Sequence, residues 1–160
     1  MTLAEEAASR GTTRAAVDLS ALVRGSLTAD AAREVLQLRL GGLPPPLRRP
    51  HHRHHLRQVL LAALGAVRSQ IFDLPNGDIV TVAPPPAGVL DGAEAALREA
   101  LPDAAAAALV RLHLPEDAAQ LLNTVAESLG LEPGDWVTAA LPIERGRALI
   151  GCRSGRLLMA

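Results

Sequence analysis

Period-two alternation marks two stretches of the chain, and a turn signal between apolar runs marks a third. In Val35-Leu-Gln-Leu-Arg-Leu40, residues Leu36, Leu38 and Leu40 lie on one side and Gln37 and Arg39 on the other, which predicts a half-buried strand. Ser69–Val82 reads as two short apolar strands folded back at Asn76-Gly77, since an Asn-Gly pair between β-branched runs is a strong hairpin signal. A two-residue turn there sets Asp73 opposite Val80. Val110-Arg-Leu-His-Leu114 alternates again and turns His113 away from Leu112 and Leu114, toward water or a subunit.

Between these strands the apolar period lengthens to that of a helix. Leu56, Val59, Leu60, Ala63 and Val67 form one stripe on a helix from about His52 to Val67. Leu90, Ala93, Leu97, Ala100 and Leu101 do the same from Gly88 to Leu101, with Glu94 and Arg98 spaced to pair. Pro115-Glu116-Asp117 opens a further helix carrying Leu121, Leu122, Val125 and Leu129, ended by Gly130.

Ahead of the first strand, Thr2 and Glu5 fit a capping box for a short helix to about Ser9. Gly11 ends that helix, and a second runs from Thr13 to Arg24 with Gly25 as its stop. Both suit an arm, a dimerisation helix or frayed ends. Beyond residue 130, Trp136–Leu141 and Ala148–Ile150 suggest strands with a turn at Ser154-Gly155.

The expected fold is α+β: a ferredoxin-like β-α-β-β-α-β core with an antiparallel sheet and two helices on one face. An extra helix follows the fourth strand. Residues 1–33 form an N-terminal helical extension, 34–130 the core domain, and 131–160 a tail or marginal hairpin.

Composition narrows the possible chemistry. The chain has 160 residues and formal net charge −1, so no global field favours nucleic acid or membrane. One Phe, one Trp and no Tyr leave a core of small aliphatic groups. RNA-recognition domains share the element order but stack bases on strand aromatics, which Phe72 alone does not supply. Cys152, the single cysteine, excludes an internal disulfide and a multi-cysteine metal centre. Its place beside Arg153 is compatible with a lowered thiol pKa, although a bystander role is expected. Glu5 and Glu6 stand where a signal peptide needs an apolar run. No apolar stretch approaches the ~20 residues that span a bilayer. A cytoplasmic protein without membrane contact is the expectation.

The strand, helix and Asn76-Gly77-Asp78-Ile79-Val80 hairpin, followed by a helix, resemble the GGDEF domain of diguanylate cyclases over about residues 34–130. Gly77 and Asp78 match the second glycine and the aspartate of that motif. The resemblance implies magnesium-dependent chemistry on GTP in active members, but the residues that carry it are missing here. The acidic position after the aspartate is Ile79, and Val35–Leu43 holds no carboxylate where the family keeps another metal ligand. Arg68-Ser-Gln-Ile71 lacks the aspartate of the family's inhibitory product site. The implied protein is a degenerate, non-catalytic domain that binds a protein partner or, less often, a nucleotide, without a cofactor; the N-terminal helices and sheet edges also suit pairing with a second copy.

One other cluster carries candidate chemistry. Arg48-Arg-Pro-His-His-Arg-His-His-Leu-Arg57 gathers four of the five histidines. The plain reading is a polar, partly charged helix start; because cations at a helix N-terminus oppose its dipole, the alternative is an anion held there, a phosphate or a partner's carboxylate. Arg48, Arg49, Arg53, His54 and Arg57, with Asn76, Gly77 and Asp78, are the candidate residues for a partner, an anion or a nucleotide. His51 and His55, one turn apart, are a weaker candidate for a metal. Asp73 and Asp78 flank the turn, where acids serve the backbone, and Asp73 has no evident catalytic partner.

Overall fold

The computed structural model describes residues 2–132, 135, 137–143 and 147–159. Helix α1 (Leu3–Ala29) leads into strand β1 (Arg33–Leu38), and two short 3-10 turns precede α2 (Pro50–Leu64). The hairpin strands are β2 (Gln70–Asp73) and β3 (Ile79–Ala83). Next come α3 (Asp91–Ala100), β4 (Leu109–Leu114) and α4 (Ala118–Ser128). Strands β5 (Val137–Ile143), β6 (Arg147–Cys152) and β7 (Leu157–Met159) complete the chain.

The main sheet runs β2-β3-β1-β4, antiparallel throughout. It is covered on both faces, not on one. α2 and α3 pack over Leu36, Leu38, Ile79 and Leu109 through Leu56, Leu60, Leu64, Ala93 and Leu97. On the other face, Ala16, Leu19 and Val23 of α1 and Leu121 and Val125 of α4 meet Val35, Phe72, Val80, Val82 and Leu112. Each large side chain so enclosed contributes about 1.5–3 kcal/mol. The central strand β1 is therefore buried on both sides, and the half-buried reading of it fails at Gln37. That side chain is 1 % exposed, and its Nε2 donates to Thr124 Oγ1 of α4 at 3.1 Å.

The second face exists because α1 is one helix of 27 residues, not two. The capping box forms as expected: Thr2 and Glu5 exchange side-chain and backbone bonds of 2.7 and 3.2 Å. Gly11 and Gly25 do not stop the helix. A glycine within a helix costs only ~0.5–1 kcal/mol, and packing from Ala16 onward outweighs it. Termination falls at Asp30, which takes a left-handed φ of 49°, a conformation that aspartate tolerates better than most residues. Likewise α2 stops at Leu64, because Gly65 adopts φ 49° and its N–H closes on the Leu61 carbonyl. Val67 lies beyond the helix but still packs on the core.

The tail forms a second antiparallel sheet, β5-β6-β7. The strand predicted from Trp136 begins at Val137, and Trp136 itself lies outside the described residues. Gly155, with φ 84°, makes the predicted turn. Asp135 ties the connection to that turn by accepting from the Ser154 backbone N–H at 3.0 Å and its hydroxyl at 2.7 Å. Cys152 is buried with Val17, Ala126 and Leu131, so the small sheet seals onto α1 and α4. Burial, then the negative charge of Asp135, raise its thiol pKa against the opposing pull of Arg156. The thiol is thus the reverse of activated. No helix among the described residues is long and apolar enough to cross a membrane.

Candidate functional site

The hairpin loop has three residues, not two. Asp73 pairs with Ile79, and the Leu74 N–H reaches the Asp78 carbonyl at 2.9 Å. Pro75 and Asn76 form the turn closed by the Gly77 N–H on the Leu74 carbonyl at 3.0 Å, and Gly77 alone takes a positive φ, 96°. This is the three-residue hairpin in which a proline-led turn is followed by a left-handed glycine. The predicted Asp73–Val80 pairing is shifted by one position because Pro75 enters the loop.

Asp73 finds its partners on α2. Arg53 and Arg57 lie one turn apart on α2 and so share a face. Arg53 Nη2 donates to Asp73 Oδ1 at 3.1 Å, and Arg57 Nη2 donates to Oδ2 at 3.1 Å. Arg53 Nε also donates to the Gly77 carbonyl at 3.0 Å. The anion that the basic start of α2 calls for is therefore supplied by the chain's own hairpin.

Asp78 is enclosed more completely, with 4 % exposure. Its Oδ1 accepts the Gly41 N–H at 2.8 Å, and Oδ2 accepts from Asn76 Nδ2 at 3.3 Å. Asn76 Oδ1 in turn takes the Asp78 N–H at 3.1 Å. Position 41 has no room for a side chain. A Cβ there would stand 3.0 Å from the Asn76 carbonyl and 3.2 Å from Asp78 Oδ1.

The remaining predicted residues are spread out. Arg48, Arg49, His51, His54 and His55 are exposed, and the His51 ring rests against His52 at 4.2 Å. Among the described residues no group of three or more His, Cys, Asp or Glu is placed to hold a metal ion. His52 and His55 line a small cavity of about 140 Å³ with Leu43, Leu47, Leu56 and Leu101.

A second polar cluster, unforeseen in the sequence, lies at the opposite end of the sheet. Arg111 of β4 contacts three carboxylates at 2.9 Å each: Glu34, Asp91 and Glu94. Glu94 also takes Arg98 at 2.7 Å, the expected helical pair. Glu34 is 6 % exposed and accepts the Gly88 N–H at 2.8 Å. Burial opposes its ionisation, but the Gly88 and Leu90 N–H groups and the Arg111 guanidinium outweigh it. They hold the carboxyl below its ordinary range. The register that sets Leu36 opposite Arg111 and Glu34 opposite His113 builds this cluster. The only sequence signal was an arginine inside an alternating strand.

No family model, curated protein or solved structure matches the chain.

Proposed function

We propose that this protein is a non-catalytic regulatory or protein-interaction module of bacterial-type signalling, working in the cytoplasm and resembling a degenerate GGDEF domain on a ferredoxin-like core. The antiparallel order β2-β3-β1-β4 with α2 and α3 on one face agrees with the split β-α-β pattern. The observation that carries the reading is the state of the hairpin carboxylates. Metal-assisted phosphoryl transfer needs carboxylate oxygens free to converge on cations and phosphates. Asp73 is held by two guanidinium groups, and Asp78 is enclosed by the Gly41 N–H and Asn76. Ile79, buried in the core, takes the position where an active member keeps its acid.

The alternative, an anion or nucleotide sensor built on Arg48–Arg57, is disfavoured by the same contacts, since two of its donors are already engaged. Surfaces that suit a partner or a second copy are the outer edges of β2 and β4 and the exposed first turns of α1. Incubating the purified protein with GTP and magnesium yields no cyclic dinucleotide on this reading, and clear synthesis overturns it. Light scattering over a concentration series, with a pull-down, tests the interaction half. A strictly monomeric chain that captures no partner counts against it.

A further inference from the structure

A cleft of about 430 Å³ opens at the end of the main sheet away from the hairpin, where the α1–β1, β3–α3 and β4–α4 connections converge. Its size is that of a small-molecule site. Ala32, Pro85, Ala87 and Leu114 supply an apolar wall. Two of the acids that line it are engaged. Glu34 binds Arg111 and the Gly88 N–H, and Asp117 Oδ2 accepts the His113 N–H at 2.8 Å.

Arg33, at the first position of β1, also lines the cleft. It is half-buried, and its Nε is sealed from solvent without an acceptor. Among the described residues it forms no ion pair. Arg48, Arg49 and Arg68 lack a carboxylate as well, but they are exposed and water solvates them. A partly desolvated guanidinium without a counter-anion is costly. With Nε enclosed, that charge can be met only through the part of the side chain open to the cleft. The carboxylate of Glu116, exposed and without an ion pair among the described residues, lines the cleft too, and Asp117 keeps its charge because its partner is a backbone N–H.

We propose that this cleft binds a small zwitterion with an apolar side chain, an α-amino acid of the leucine class. Its carboxylate meets Arg33 and its ammonium faces Glu116, while the side chain lies against Pro85, Ala87 and Leu114. Glu116 and Asp117 repel polyanions, so nucleotides are excluded from the same cleft. This site is independent of the hairpin and of the reading given to it.

Thermal shift and calorimetric titration with three probes test the proposal: L-leucine, 4-methylpentanoate, which lacks the amine, and 3-methylbutylamine, which lacks the carboxylate. L-Leucine raises Tm by mass action, 4-methylpentanoate raises it less, and the amine and GTP leave it unchanged. Arg33→Gln abolishes the leucine effect, and Arg33→Lys, which keeps the charge but not the planar fork, retains part of it. Glu116→Gln, on an exposed side chain, keeps the fold and reduces leucine to the level of 4-methylpentanoate. Absence of any leucine response in the wild type, or a response unchanged by Glu116→Gln, overturns the proposal. So does a full response in Arg33→Gln.

Discussion

At the hairpin end of the main sheet, Asp73 and Asp78 are closed off by donors of the same chain. At the other end, Glu34 is equally closed off, but Arg33 stands half-buried beside an open cleft and forms no ion pair among the described residues. Both ends gather charge where strands meet connections. They differ in what is left over. The hairpin end engages its carboxylates in holding a loop against α2 and Gly41. The cleft end balances Glu34 through Arg111, while Arg33 is in no ion pair among the described residues. A cluster of ionisable groups is thus informative about function only after its internal pairs have been subtracted.

Substitution of Arg111 costs the most. Arg111→Met strands the buried Glu34 carboxylate and weakens the grip on Asp91 and Glu94. Removing one partner of a buried pair costs about 3–5 kcal/mol. The loss is read as a fall in the urea midpoint at unchanged slope. A loss below about 1 kcal/mol, the level of an exposed ion pair, would mean that the cluster does not hold the sheet end.

Next in size is Gly41→Ala. Its Cβ would press on Asn76 and Asp78, and overpacking of this kind costs ~1–3 kcal/mol. Gly42→Ala is the built-in control: nothing lies within 4 Å of a Cβ at that position, and such surface changes stay within about 0.5 kcal/mol. Equal effects at the two glycines would remove the close approach from the account.

Acid sharpens the comparison further. The folded-state pKa of Glu34 is depressed, so its contribution is complete above the ordinary value of 4.5 and is lost as pH falls through the lower folded value. Glu34→Gln therefore flattens the acid limb of a stability–pH curve. An unaltered limb would show that the carboxyl is not held in its charged form. The smallest effect belongs to Arg57→Ala, because Arg53 still holds Asp73 and the pair is about one third exposed. About 0.2–1 kcal/mol is expected, shrinking with salt.

Much of the main sheet was legible from alternation and turn chemistry: β4 falls where period two put it and the hairpin where Asn76-Gly77 put it, while β1 begins and ends two residues earlier than expected because Leu40 opens a 3-10 turn. The missing part was what covers the second face. Gly11 and Gly25 read as stops because glycine is a common terminator, yet its effect on a helix interior is small beside the packing of Leu19 and Val23. Gln37 looked solvent-facing because alternation does not reveal a partner such as Thr124, 87 residues away. Asp73 looked idle for the same reason. Its arginines lie on the preceding helix, 20 and 16 residues away. Glu34, Arg111 and Arg33 carry no local signature, since their roles arise only when β1 pairs with β4.

Chemical-shift mapping of backbone amides tests the central contrast most directly. Titrated with L-leucine and, separately, with magnesium and GTP, the protein should respond to leucine at Ala32–Glu34 and His113–Asp117. The amides of Gly41 and Asp73–Asp78 should stay unmoved by either probe. Shifts centred on Gly77 and Asp78 with magnesium and GTP would contradict the account, because they would show that the hairpin carboxylates are open to a ligand after all.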